Sequence, residues 1–302
     1  MRVLVTAKNG QLGFELQHTL KLARESGAAW AQNVEALFCD SSELNITDAV
    51  QVNAVAGEFK PDLIINAAAY TAVDKAESDV DAAYAVNETG VKNLAQACKT
   101  LGAKLLHVST DFVFAADKNT PYQPSDATSP LGVYGASKLA GEQQAQTILG
   151  ADVSIVRTAW VYSVHGNNFV KTMIRLMREK EQLGVVSDQV GTPTSARNLA
   201  NALWLLAERK FSQQDTQVIY HWTDLGTASW YDFAVAIQEL AVAANLLEKA
   251  IPVNPITAAQ YPTPAKRPAY SVLDTSALRK DIAVNGVHWR TALKNMIQEL
   301  AQ

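Results

Sequence analysis

The sequence predicts an α/β fold: a Rossmann-type doubly wound parallel sheet joined to a smaller, mixed C-terminal unit. Three observations predict it. Short, wholly apolar runs alternate with longer helical patterns through the first half of the 302 residues. A glycine turn joins the first apolar run to the first helical pattern. The alternation then gives way to helices with few strands between them. Strands that are apolar throughout are buried on both faces, which is the condition of a parallel sheet covered by helices on each side, and the right-handed crossover rule makes such a sheet doubly wound.

Taken in order, residues 3–6 form the first strand and 11–25 the first helix. A second strand at 36–38 ends at Cys39-Asp40. A helix follows over 47–59, with Thr47 as its N-cap. Residues 62–66 are strand-like, and 81–100 form a long alanine-rich helix ending at Gly102, a residue type suited to a helix C-terminus. Strands at 105–108 and 153–156 flank a helix over 134–148. Beyond that point, helices are expected at 167–182, 194–209, 229–247 and 289–301, with strands at 184–187 and 217–222. The stretch from Pro252 to Pro268 reads as ordered but irregular. No repeat or low-complexity linker separates the halves, so later strands are expected to complete the first sheet. The division is placed at 1–162 plus about 190–225 for the first unit, and about 163–189 plus 226–302 for the second.

Apolar residues make up 48% of the chain and charged residues 19%, at a net charge of -4. That balance is ordinary for a globular protein and offers no basic field for nucleic acid. The two cysteines, Cys39 and Cys98, sit in no metal-ligand or redox spacing, which suits a reducing compartment. The N-terminal apolar run is too short for a signal peptide and no stretch approaches a membrane span. The expectation is a cytoplasmic protein that binds neither nucleic acid nor membrane.

The turn reads Ala7-Lys8-Asn9-Gly10-Gln11-Leu12-Gly13. Its spacing is that of a dinucleotide-binding turn whose first glycine is replaced by Ala7. Gly10 lets backbone approach a pyrophosphate, Gly13 lets the helix pack on the strand, and the helix N-terminus supplies amide donors. Asp40, about 27 residues after Gly13, ends the second strand, where a carboxylate accepts from ribose hydroxyls. A carboxylate there repels a 2′-phosphate, while Ser41 and Ser42 accommodate one, so NADH is favoured without excluding NADPH.

The sharpest chemical signal is Tyr134-Gly135-Ala136-Ser137-Lys138. On a helix, residues four apart share a face. An ammonium about 5 Å from a phenol, at an effective dielectric of about 20, stabilises phenolate by roughly 3 kcal/mol, about two pKa units. The lysine is also in a position to bond the cofactor ribose. Ser109-Thr110-Asp111 follows the strand at 105–108, which places hydroxyls at the carboxyl end of a central strand. Thr110 is a candidate donor to a substrate carbonyl.

These residues, taken together, resemble the extended short-chain dehydrogenase/reductase family, and within it the branch acting on 4-keto nucleotide sugars. The resemblance runs over nearly the whole chain. Besides the glycine turn it includes Asn66-Ala67-Ala68-Ala69-Tyr70-Thr71, Val73-Asp74-Lys75-Ala76-Glu77, Ser109-Thr110-Asp111-Phe112-Val113-Phe114, Asn168-Phe169-Val170-Lys171-Thr172-Met173 and Arg267-Pro268. It implies that Tyr134 is the proton donor, Lys138 its partner and ribose ligand, and Thr110 the hydroxyl at the carbonyl. It implies that Gly10, Gln11 and Leu12 meet the pyrophosphate, with Gly13 also in the cofactor-binding turn, and that Ala69, Tyr70 and Thr71 lie along the cofactor with Val108 beside the nicotinamide. Asn45, followed by Ile46, stands near the adenine where the family usually has an aspartate. Trp160 is implied to pack on the substrate and Asp111 to bond a sugar hydroxyl. The implied activity is NADH- or NADPH-dependent reduction of a dTDP-linked 4-keto-6-deoxysugar to dTDP-L-rhamnose, by a monomer or homodimer. Glu15 and Asp188 match only in part the acidic residues of metal-linked members, and no metal is assigned.

Several residues keep a second reading. Trp160 is alternatively core packing. Arg267 is either a diphosphate ligand or half of a surface ion pair. Asn168 is first an N-cap or loop residue and then a ligand. The histidines, His107 on a strand among them, read as structural, and Asp74, Lys75 and Glu77 as a solvated helix start. Two other functions stay open. A dehydratase or epimerase on the same fold is one, although dehydratases resemble Thr-Asp-Glu at the strand end and here Phe112 follows Asp111. The other is a non-catalytic subunit similar to the methionine adenosyltransferase beta subunit, against which Thr110, Tyr134 and Lys138 argue.

Overall fold

The computed structural model describes residues 1–212 and 217–302. From the N-terminus, β1 (Arg2–Val5) leads into α1 (Gln11–Glu25), and one helical turn, α2 (Ala29–Gln32), returns the chain to β2 (Glu35–Phe38). Then come α3 (Ala49–Phe59), β3 (Leu63–Asn66), the short α4 (Val73–Ala76), and α5 (Val80–Tyr84), which runs through a π turn at Ala85–Thr89 into α6 (Gly90–Leu101). β4 (Lys104–Thr110), α7 (Val133–Leu149) and β5 (Val153–Thr158) follow. The remainder comprises β6 (Val161–Tyr162), α8 (Phe169–Glu179), β7 (Leu183–Val186), β8 (Val190–Gly191), β9 (Thr194–Ser195), α9 (Ala196–Phe211), β10 (Ile219–His221), β11 (Ala228–Ser229), α10 (Trp230–Ala243), β12 (Val253–Ile256), α11 (Ser276–Asp281) and α12 (Trp289–Leu300).

The main sheet runs β2-β1-β3-β4-β5-β10 with every pair parallel. Its central strands are apolar on both sides because both faces are covered. On one face Leu16 and Leu20 of α1, Leu203 and Trp204 of α9 and Leu278 of α11 pack together. On the other, Val52 of α3, Val91 and Leu94 of α6 and Ala145 of α7 do so. A separate core joins α8, α10 and α12 through Val170, Met173, Phe233, Ile237 and Leu293. Among the described residues no helix is long and apolar enough to cross a membrane.

Four local expectations need correction. The N-cap of α3 is Asp48, not Thr47: Asp48 accepts from Val50 N and Gln51 N, while the Thr47 hydroxyl is committed to Asn45 Oδ1. The helix expected over 81–100 is broken by the π turn, where the backbone passes so close to α7 that a Cβ on Gly141 would lie 2.0 Å from the Asn87 carbonyl. The proline-rich stretch contains β12, which pairs in parallel with β7; Pro255 is tolerated there because a two-stranded pairing leaves one edge free. Finally, β4 and β5 each run two residues further than expected, to Thr110 and Thr158. Ser109 and Thr110 therefore end β4 instead of following it.

Candidate active site

The glycine turn opens at the carboxyl end of β1. Ala7 adopts φ +57°, the left-handed conformation that a glycine would adopt freely. Its carbonyl accepts from Gly10 N at 2.9 Å. Gly13 admits no side chain: a Cβ there would lie 2.0 Å from the Ala7 oxygen. Leu12 packs on the core beneath the sheet. Gln11 begins α1, and its Oε1 accepts from Asn168 Nδ2 at 3.0 Å. Asn168 is at the same time the N-cap of α8, accepting from Lys171 N.

A groove of about 570 Å³ lies beside the turn, lined by Ala7, Asn9, Gly10, Asp40, Asn45, Ile46 and Ala69 among others. Asp40 Oδ1 accepts from the amide and hydroxyl of Ser42, and Oδ2 from Asn9 Nδ2. These bonds, the Ser42 hydroxyl first, hold the carboxyl down at about 2. Lys8 is clamped by both oxygens of Glu43 at 2.6 Å. Asn45 turns its own Oδ1 to Thr47. Tyr70 is fixed through its backbone, its N–H donating to Asn87 Oδ1, and through its hydroxyl to Asp79. Thr71 is exposed.

The reactive hydroxyls meet where β4 ends. Thr110 Oγ1 donates to Asp111 Oδ1 at 3.0 Å and accepts from Phe112 N. Tyr134 lies in the first turn of α7, with the Phe112 ring edge-on at 5.4 Å. Gly135 makes this approach possible, since a Cβ there would stand 2.2 Å from the Phe112 carbonyl. Burial pushes Tyr134 up to about 12; Thr110 opposes the shift and the Asp111 charge adds to it. The expected lowering by Lys138 is overturned for a physical reason. The ammonium is spent on the Val108 carbonyl at 2.7 Å, and burial lowers Lys138 itself to about 8. Asp111 is raised to about 6 by burial, which the neighbouring Ser271 and Thr110 hydroxyls only partly offset, and its Oδ2 has no hydrogen-bond partner among the described residues.

Trp160, at φ +48°, stacks on Trp230 with centroids 3.5 Å apart. Gly191 leaves room for it: a Cβ there would sit 2.7 Å from the Trp160 ring and 2.9 Å from Ser271 Oγ. Trp230 in turn lines a largely apolar cavity of about 470 Å³ with Phe169, Met173, Val185, Tyr261 and Arg267. Arg267 lines that cavity and is half of an ion pair, its Nη2 donating to Asp74 Oδ2 at 2.8 Å. Glu15 is buried in an ion pair with Arg197, and Asp188 accepts from Ala258 N.

Lys75 is solvated at the start of α4 as expected, but Asp74 and Glu77 are also engaged with other elements. Asp74 holds Arg267 and Ala265 N, and Glu77 Oε1 accepts from Val133 N at 2.8 Å, so it caps the helix that carries Tyr134. Asn87 supports the same helix, α7. Its side chain donates to Tyr70 O and Ser137 Oγ, and Ser137 donates to Tyr134 O. Asp74 and Glu77, three apart at a short helix and its end, carried a weak signal; Asn87 carried none that spacing could reveal. His107 is buried but lies against Lys138.

Comparison with known proteins finds similarity over the full length. The family described as RmlD substrate binding domain matches residues 1–302. The dTDP-4-dehydrorhamnose reductase of Aggregatibacter actinomycetemcomitans is 44% identical over 296 residues, covering 98% of each chain. A crystal structure of a dTDP-4-dehydrorhamnose reductase from Clostridium acetobutylicum superposes with TM-score 0.89 at 40% identity, covering 100% of both chains. One from Bacillus anthracis in complex with NADP gives 0.86 at 36% identity over 99% of both.

Proposed function

The chain belongs to the RmlD substrate binding domain family, and on that premise we propose that it is an NAD(P)H-dependent reductase converting dTDP-4-dehydro-6-deoxy-L-mannose to dTDP-L-rhamnose. The observation that carries the reading is the convergence at the carboxyl end of β4 of Thr110, of Tyr134 packed on Phe112, and of the buried Lys138 on the Val108 carbonyl, in a chain that matches the family from end to end.

The residues fit a dinucleotide. The bare backbone of the Ala7–Gly13 turn gives close approach, and the adjoining groove is large enough for an adenosine. In this reading Gly10, Gln11, Leu12 and Gly13 hold the pyrophosphate, Asp40 accepts from the ribose, and Asn45 and Ile46 flank the adenine. Ala69, Tyr70 and Thr71 follow the cofactor towards Val108, where Lys138 bonds the second ribose. Bound there, the reduced nicotinamide supplies the hydride for C4 of the keto sugar. An Asp40 carboxylate ionised at every working pH favours NADH, and the NADP complex of the Bacillus anthracis relative keeps NADPH as a second reductant.

Tyr134 keeps its proton at neutral pH, which suits a donor, because an alkoxide is a far stronger base than phenolate. The Thr110 hydroxyl steadies the same oxygen. The free Oδ2 of Asp111 is an acceptor for a sugar hydroxyl. Trp160, Asn168 and Arg267 complete the substrate side, with Arg267 directed to the diphosphate. Residues 1–162 and about 190–225 form the cofactor unit, and about 163–189 and 226–302 the sugar-nucleotide unit; within the first, 213–216 lie outside the described residues. The protein acts in the cytoplasm as a monomer or homodimer, without nucleic acid or membrane.

Tyr134→Phe tests the chemistry. Binding of NADH, followed by its fluorescence, is expected to stay near wild type while turnover with the dTDP-4-keto sugar falls about 10²- to 10⁴-fold. Near-normal turnover rejects the assignment. One NADH consumed per product separates a reductase from an epimerase, which consumes none.

A further inference from the structure

His107 lies fully buried on β4, with Nε2 3.4 Å from Lys138 Nζ and Nδ1 3.0 Å from the side-chain amide nitrogen of Asn66 on β3. Which of its nitrogens carries the proton follows from the groups behind Asn66. The Thr6 hydroxyl oxygen, just beyond β1, accepts the N–H of Ala67 at 3.1 Å and of Ala68 at 3.0 Å. Both of its lone pairs are then used, so its own proton goes to Asn66 Oδ1, 2.7 Å away. The Ala68 N–H also reaches that oxygen at 3.1 Å. Asn66 therefore presents Oδ1 to Thr6 and its NH₂ to His107. An amide NH₂ only donates, so Nδ1 accepts and the imidazole proton sits on Nε2, facing Lys138.

We propose that Thr6 and Asn66 lock His107 in the Nε2–H tautomer, and that His107 is thereby a positioning residue for Lys138 that favours its neutral amine over the ammonium. The functional meaning rests on the ribose-binding role given to Lys138 above; the tautomer does not. An ammonium has no lone pair for the Nε2–H to meet, whereas an amine does. The other groups around Lys138 leave this preference in place. The Val108 carbonyl accepts an N–H from either form. Glu142, one turn further along α7, favours the ammonium, but its carboxylate is held by Nε and Nη2 of Arg157 on β5. Tyr134 on the same helix stays a neutral phenol. Burial lowers Lys138 to about 8, and burial together with the Lys138 charge keeps His107 far below its ordinary range. Lys138 so tuned exchanges a proton near neutral pH, where an ordinary lysine holds it.

Two spectra test this without substrate. In protein labelled with [15N]histidine, the His107 signals are expected to show protonated Nε2 and bare Nδ1 from about pH 6 to about pH 9. An Nδ1–H tautomer or an imidazolium in that range overturns the lock. In protein labelled with [13C]lysine, Lys138 is assigned by its absence in Lys138→Arg and is expected to titrate at about 8. Asn66→Asp presents a carboxylate that only accepts, which draws the proton to Nδ1 and turns Nε2 into an acceptor. The Lys138 midpoint is then expected to rise by about one unit, a tenfold change in proton affinity; an unmoved midpoint overturns the coupling. Should Asn66→Asp not fold, Thr6→Val releases one constraint on the Asn66 amide. A partial Nδ1–H signal with a raised Lys138 midpoint supports the lock, and no change in either overturns it. A wild type that shows the expected spectra yet oxidises no NADH with the keto sugar counts against the proposed activity and not against the lock.

Discussion

Asp111 illustrates how a single buried carboxyl makes stability depend on pH. Its pKa rises from 3.8 unfolded to about 6 in the folded chain. The folded protein thus holds a proton that the unfolded chain releases. The stabilisation is complete below about pH 4 and is lost as pH rises through about 6. Asp111→Asn removes this dependence. Relative to wild type, the variant is expected to gain up to about 3 kcal/mol on going from pH 4 to pH 7, read from thermal melts at both pH values. An equal difference at the two pH values contradicts it. At this scale the sequence was legible where a short motif brings its own geometry: Thr110, Tyr134, Lys138 and the glycine turn needed no knowledge of distant neighbours. His107 and Glu77 were not legible, because their partners lie 31 and 56 residues away in sequence. The Tyr134 shift runs opposite to the pairwise Coulomb expectation, because desolvation, which that argument leaves out, is its largest cause.

Among the elements, α7 depends on a neighbour for its start. Its N-cap is Gly132, which has no side chain to offer, and the donor at Val133 is met by Glu77, beyond the end of α4. Glu77→Ala leaves that N–H without its acceptor. The expected result is a loss of about 1 kcal/mol in stability, with a larger fall in kcat than in NADH affinity, because Tyr134 sits in the turn that frays. Glu77→Gln keeps an acceptor and is expected to restore most of both. Equal losses in the two variants would assign the effect to charge and not to capping. Helices and strands of the first half were readable from periodicity, since each buries a continuous face. The π turn and β12 were not: the first is imposed by close contact with α7, and the second takes shape only against β7.

For the molecule as a whole, Arg197 of α9 ties the first helix to the last. It donates to Glu15 of α1 through Nε at 2.9 Å and to Glu299 of α12 through Nη1 at 2.6 Å, and Glu15 is buried. Arg197→Met leaves the Glu15 carboxylate with Ser163 as its remaining side-chain partner. A loss of about 3 kcal/mol is expected, seen as a lower denaturation midpoint. Adding Glu15→Gln should recover much of it, and no recovery would mean that packing, not charge, is at stake. The doubly wound sheet was legible from its apolar runs, and so was its completion by a late strand, expected at 217–222; that β10 would pair with β5 was not, since three residues far along the chain carry no mark of the strand they will join. That placement bears on synthesis. β5 leaves the ribosome about sixty residues ahead of β10, a lag of several seconds at about 5–20 residues per second. Through that interval one side of β5 stands as a bare row of amides and carbonyls, the kind of surface on which nascent chains adhere to each other. The interval between the emergence of β5 and that of β10 is therefore one in which the growing chain is open to such adhesion.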